Sequence, residues 1–183
     1  MSDVVPLTGE PLALDLVNTL TAAGDLLATP DDLREWQRLQ SERLPETDEI
    51  GAEALAAVRA VRNHTARALE CVRNGDRPDA ADLDALHQAQ RAAPAITELT
   101  WNGTNVVAAR RRNGPSDSRL AAQLAEAAAE LLADPAVSRI RQCEADDCVM
   151  LFLPAHPRRR WCSAARCGNR VRVARHYQRR KSG

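Results

Sequence analysis

Four cysteines carry the clearest chemistry in this 183-residue sequence. They are spaced Cys143-x4-Cys148, then thirteen residues, then Cys162-x4-Cys167. Two close pairs of thiolates separated in this way can converge on one tetrahedral zinc ion. Four sulfur ligands fill that coordination shell, so the expected role is structural, with no position left for an activated water. The stretch between the pairs holds too few apolar residues for a core of its own, and a metal would organise it. The competing readings are four ordinary buried cysteines or two labile disulfides. The opening MSDVVPLTGEPLALDLVNTL has no basic leader followed by a long apolar run, and no stretch approaches a spanning helix. A cytoplasmic, reducing setting without membrane attachment is therefore expected, and it favours the metal over disulfides.

The cysteines sit in a strongly basic surrounding that the overall balance conceals. The chain carries 25 basic and 25 acidic residues, yet residues 1–140 have 14 Arg against 22 Asp and Glu, while residues 141–183 have 11 Lys and Arg against 3 acids. No acid follows Asp147. From Cys167 the pattern is helical, and Arg172, Arg175 and Arg179 fall on one face with His176 beside them. Arg170 lies nearest the last ligand and Arg180 near the end. Arg158, Arg159 and Arg160, just before Cys162, are expected to enlarge the same patch, while Val171, Ala174 and Tyr177 face away from it. Asn169 is expected to cap the turn, with a hydrogen bond to a base as the alternative. A surface of this kind attracts phosphate backbones, and arginine forks can read guanine edges if the helix enters a major groove. DNA is the expected partner. RNA is the alternative, as is docking of the basic surface on the acidic part of the same chain. A thiol switch at Cys162 and Cys167 that ejects zinc is a third reading. One short helix supplies little affinity, which makes a homodimer on two half-sites a natural expectation.

No phosphate loop, HExxH or nucleophile elbow occurs, and nothing in the pattern points to an enzyme. Asp15, Asn18 and Thr19 interrupt an otherwise apolar first helix, with Arg62 on the third helix as a candidate partner. They can line a pocket for an unidentified small molecule, or form a hydrogen-bond network between helices. Trp36 and Trp101 read as packing residues and Cys71 as a buried thiol.

The elements that must position these groups are mostly helical. A first helix is expected over residues 10–22, with Pro11 in its first turn and Leu12, Leu16 and Leu20 as a stripe. A second starts at Thr29-Pro30 and ends near Leu44-Pro45. A third opens at Thr47-Asp48 and runs to Asn74-Gly75; a fourth spans about 78–92. The dipeptide Asn102-Gly103 predicts a hairpin with strands at about 96–101 and 104–111. Ser116 or Ser118 is expected to cap a helix running to Ala133, followed by an extended link over 136–142. Alternating Val149, Leu151 and Leu153 suggest a strand, with Arg158–Trp161 as its partner.

WCSAARCGNR (residues 161–170) resembles the CGNR zinc-finger family, named for the residues that stand here as Cys167-Gly168-Asn169-Arg170. GEPLALDLVNTL (residues 9–20) resembles the opening of the ABATE domain, which precedes that finger in the same family. The resemblance implies a mostly helical N-terminal domain, a zinc-bound C-terminal module and a stress-linked role in transcription regulation. It departs from the family pattern at the proline-interrupted segment Phe152–Pro157. The expected fold is mainly α with a small β-hairpin (α+β), divided into a helical ligand-sensing or interaction domain, 1–140, and a basic, treble-clef-like zinc module, 141–183.

Overall fold

The computed structural model describes residues 6–45 and 50–181, without the side chains of residues 175–177, 179 and 181. Six helices and three small antiparallel strand pairs make up this part of the chain. The core is built by three long helices, α3 (Ala52–Asn74), α4 (Ala80–Ala92) and α5 (Ser116–Ala133), packed on one another, with α1 (Leu12–Val17) laid against α3 and α5. Leu14, Leu16, Val58, Leu69, Leu124 and Ala128 are fully buried at this junction. The many alanines of α3 and α5 let the helix axes approach closely, as expected of small side chains at ridges and grooves. The helix α2 (Pro30–Leu39) starts as predicted: Thr29 accepts from the Asp32 N–H, Asp32 reaches back to the Thr29 N–H, and Pro30 occupies the first turn. At its far side α3 stops at Gly75, whose φ of 80° permits the left-handed cap that a side chain would resist.

The first helix is shorter than predicted. It spans six residues, with Pro11 as its N-cap, and residues 20–25 turn back as a tight hairpin of β1 (Leu20–Thr21) and β2 (Gly24–Asp25). Two side chains end the helix. Thr19 Oγ1 donates to the Leu16 carbonyl, and Asn18 directs its amide away to Leu151. Leu20 is consequently exposed and does not extend the leucine stripe. The predicted opening of the third helix at Thr47-Asp48 lies outside the described residues.

The strands predicted around Asn102-Gly103 are β3 (Ala95–Trp101) and β4 (Val106–Arg112), joined by a four-residue loop in which Asn102 Oδ1 accepts from the Thr104 and Asn105 N–H groups. Trp101, at the hairpin tip, is exposed and is not a core residue; Trp36 is buried as expected. Cys71 is half-buried, where full burial was expected. Helix α5 begins after Pro115 with no side-chain cap from Ser116 or Ser118. The expected extended link is instead a 3-10 turn, Pro135–Arg139, capped by Asp134, followed by β5 (Arg141–Gln142). The partner of β6 (Leu151–Phe152) is β5 rather than Arg158–Trp161. Arg158–Trp161 still touches this region through a hydrogen bond from the Glu144 N–H to the Arg160 carbonyl at 3.0 Å. A single turn of π-helix, Ala164–Gly168, leads into α6 (Asn169–Lys181). Among the described residues, no helix is long and apolar enough to cross a membrane.

Candidate metal centre and basic surface

The four cysteines of residues 143–167 come together. Their sulfur atoms all lie within 4.8 Å of one another, with Cys148 Sγ 3.8 Å from Cys162 Sγ and Cys162 Sγ 3.6 Å from Cys167 Sγ. Four sulfurs around a zinc ion at about 2.3 Å form a tetrahedron with edges of about 3.8 Å. The geometry therefore fits one zinc ion with four thiolate ligands. Each half is presented by a turn. Cys143 donates its N–H to the Met150 carbonyl at 2.9 Å, and the Cys148 N–H closes on Ala145 at 3.0 Å. Cys162 precedes the π-turn and Cys167 lies within it; Ser163 opens the turn by accepting from the Arg166 N–H with its hydroxyl, while its carbonyl accepts from the Gly168 N–H. A Cβ on Gly168 would stand 3.1 Å from Trp161 Cδ1, so the glycine of the CGNR stretch lets this turn close on the indole.

The electrostatics ask for a cation. Burial pushes the Cys148 thiol up to about 11, with Cys167 and Cys143 adding to the effect. Burial and the neighbouring sulfurs push Cys162 up further. At Cys143 burial acts in the same direction, but hydrogen bonds from the Cys162 and Ala145 backbone outweigh it and hold the thiol below its ordinary value. Four thiolates cannot share so small a buried volume without a compensating charge, and a dication supplies it. Arg170 contributes from outside the ligand set: its guanidinium donates to Cys167 Sγ at 3.5 Å and to Asp147 at 2.6 Å. Around the sulfurs, Leu7, Ala145, Met150 and Phe152 form a small apolar cluster, with Trp161 and Val171 packed against it.

The predicted basic patch divides once partners are seen. Arg159 turns inward. Its guanidinium lies over the Phe152 ring at 4.4 Å and donates to Glu10 and to the Cys162 carbonyl, each at 2.6 Å. It is therefore a fastening residue and does not extend the surface. Arg160 pairs with Glu144 at 2.5 Å, and Arg170 with Asp147, both acids of the same 141–183 stretch. Arg158, Arg172 and Arg180 are exposed. The side chains of Arg175, His176 and Arg179 lie outside those described. Asn169 closes the π-turn as expected, its N–H donating to the Ala164 and Arg166 carbonyls, and with helical angles, φ −67° and ψ −46°, it also begins α6; its Oδ1 accepts from Arg172. Val171 packs on the apolar cluster that joins the cysteines to Met150 and Phe152, Ala174 is exposed, and the side chain of Tyr177 lies outside those described.

Asp15, Asn18 and the Arg62–Thr19 pair each bond to a different set of partners. Asp15 is fully buried and accepts from the Gly9 and Glu10 N–H groups at 3.0 and 3.1 Å, from Gln40 at 3.2 Å and from Arg43. Burial pushes its carboxyl up, and these donors pull against that. Arg62 donates to Asp25 at 2.5 and 2.8 Å and to Thr19 Oγ1 at 3.2 Å. Those donors hold Asp25 at about 2, well below the usual carboxylate range. Asn18 makes two bonds to Leu151, across to the cysteine-bearing part. It also borders a cleft of about 590 Å³ between the β1–β2 hairpin and Cys148, Cys162 and Cys167. The residue that pattern reading missed is Glu10. It sits beside the recognisable Asp15 and Asn18, but its partner Arg159 is 149 positions away, and no local periodicity marks such a pair.

Comparison with known families gives two matches. The ABATE model, described as "Putative stress-induced transcription regulator", matches residues 10–135, and the CGNR zinc finger matches residues 139–180. Neither description is that of an enzyme. A search of curated proteins returns no match.

Proposed function

The chain belongs to the ABATE family and ends in a CGNR zinc finger, and from that premise we propose that it is a DNA-binding transcription regulator of bacterial type. In this reading residues 141–183 are a module folded around one zinc ion held by Cys143, Cys148, Cys162 and Cys167. Residues 1–140 are the domain that senses a ligand or a partner protein. The observation that carries the proposal is the mounting of α6. It leaves the cysteine cluster directly through the π-turn, and its described side chains beyond Val171 are exposed. A zinc tetrathiolate would fix the first turn of a helix whose sequence holds Arg170, Arg172, Arg175, His176, Arg179 and Arg180, of which Arg170, Arg172 and Arg180 are exposed. Even with a charge of about −2 on the tetrathiolate, residues 141–183 remain near +6, which suits a phosphate backbone. Docking of the basic helix on the acidic part of the chain is disfavoured, because the acid that meets Arg170 belongs to the module itself and Arg172 and Arg180 are exposed.

In the bound state, Arg158, Arg172 and the arginines further along α6 contact phosphates, and a fork at the groove floor supplies base discrimination. The test is selection of duplexes from a random DNA library with zinc-loaded full chain. Enrichment of a motif bound at least ~1000-fold more tightly than random duplex is expected of a specific regulator. A symmetric motif would assign a homodimer. Absence of enrichment, together with tighter binding of structured RNA at equal salt, would replace DNA by RNA as the partner.

A further inference from the structure

The polar residues flanking the first helix have a use that does not require a ligand. We infer that Glu10 and Asn18 are positioning residues of the metal centre, and that from the two ends of α1 they serve the cysteine module, Asn18 in place of a third strand and Glu10 as a strut. The reading rests on zinc binding by the four cysteines but is independent of DNA binding.

Strand β6 has two edges. One pairs with β5, Gln142 opposite Leu151 and Arg141 opposite Phe152. The other edge presents the N–H and carbonyl of Leu151, and Asn18 meets both. Asn18 Nδ2 donates to the Leu151 carbonyl at 2.8 Å, and its Oδ1 accepts from the Leu151 N–H at 2.8 Å. A primary amide offers a donor and an acceptor side by side, as a strand's peptide groups do, so this side chain completes the ladder where no third strand exists. Asn18 is 1% exposed and Leu151 is buried in the helical core, so the two bonds are made away from bulk solvent.

Glu10 works beside it. Its Oε2 accepts from the Leu153 N–H at 2.9 Å and its Oε1 from Arg159, whose other donors fall on the Trp161 and Cys162 carbonyls. Leu151 and Leu153 follow Cys148 closely in sequence; Arg159 grips Cys162 itself. Both ligand-bearing segments are thus tied to the start of α1. Glu10 is in turn set by its neighbours: its N–H donates to Asp15 at 3.1 Å, and its carbonyl accepts from Arg43 at 2.7 Å. A continuous run of bonds leads from the turn after α2, through Asp15 and Glu10, to the cysteine loops. The packing crosses the same boundary, with Leu7 in the apolar cluster around the cysteines and Leu151 in the core of the helices.

The test is the rate at which zinc-loaded full chain gives up its metal to excess 4-(2-pyridylazo)resorcinol, followed by absorbance. Asn18→Ala and Glu10→Gln are compared with Leu86→Ala, a core truncation on α4 away from the cysteines. Asn18→Ala and Glu10→Gln are expected to release zinc on the order of tenfold faster than the parent chain. Leu86→Ala should lower thermal stability while leaving the release rate near that of the parent. With cobalt in place of zinc, the two positioning variants should also shift the thiolate-to-metal absorption. If Asn18→Ala does not fold, Glu10→Gln, which conserves volume, decides. Parent-like release from Glu10→Gln and Asn18→Ala would overturn the inference, and so would equal acceleration by Leu86→Ala.

Discussion

At the scale of single residues, the protein sorts polar groups by whether their partners are local or distant. Arg158 and Arg159 are neighbours with opposite fates: one is exposed, and the other is drawn in by Glu10, Phe152 and the Cys162 carbonyl. Arg159→Ala leaves the mostly buried Glu10 carboxylate without its cation and should cost about 2–3 kcal/mol in denaturant unfolding. Arg158→Ala should stay within about 0.5 kcal/mol of the parent in the same measurement, yet weaken binding to duplex DNA. Asp25 supplies a pH signature. Its folded carboxyl titrates near 2, against an ordinary value of 3.8, because Arg62 grips both oxygens. A depressed carboxyl stabilises the fold above its unfolded value, and that contribution disappears as pH falls from about 4 to 2. Asp25→Asn should therefore lower stability by about 2 kcal/mol at neutral pH, with the difference from the parent closing across that acid window. A difference that stays constant with pH would remove Arg62–Asp25 as its source.

At the scale of elements, what was legible in the sequence was what repeats locally. Capping residues and apolar spacing marked α2, α4 and the end of α3, and the cysteine spacing marked the metal cluster. The first helix misled because Leu12, Leu16 and Leu20 keep helical spacing, while Thr19 and Asn18 spend their side chains on ending the helix. The pairing of β6 with β5 was equally hidden, since two-residue strands leave almost no alternation to read. The role of Glu10 depends on an ion pair that only the tertiary fold creates. For α6 the prediction is electrostatic. Replacing Arg172, Arg175 and Arg179 together by glutamine should weaken DNA binding and flatten the slope of log K against log salt by roughly one unit for each phosphate no longer neutralised. Thermal unfolding of the helical core should hardly move, because the described side chains of this helix beyond Val171 lie outside it. An unchanged salt slope would mean that α6 does not meet the phosphates.

At the scale of the whole molecule, an acidic helical part and a basic cysteine-bearing part are held together by buried bonds as well as by chain continuity. The two family matches meet between residues 135 and 139, but Glu10, at the start of one, is fastened to residues 153 and 159 in the other. Removing zinc should accordingly be felt beyond the cysteines: chelation is expected to lower the melting temperature read from the helical circular dichroism signal by several degrees. A helical transition indifferent to chelation would mean that the cysteine part unfolds alone. The central claim is that a zinc-organised basic module of this chain binds DNA. Its most direct test is fluorescence anisotropy of a labelled random-sequence duplex titrated with full chain at rising salt, first zinc-loaded and then after treatment with EDTA. The account predicts binding that weakens steeply with salt and is abolished by EDTA, then restored by added zinc. Binding that survives loss of zinc, or no binding by the zinc-loaded chain even at low salt, would contradict it.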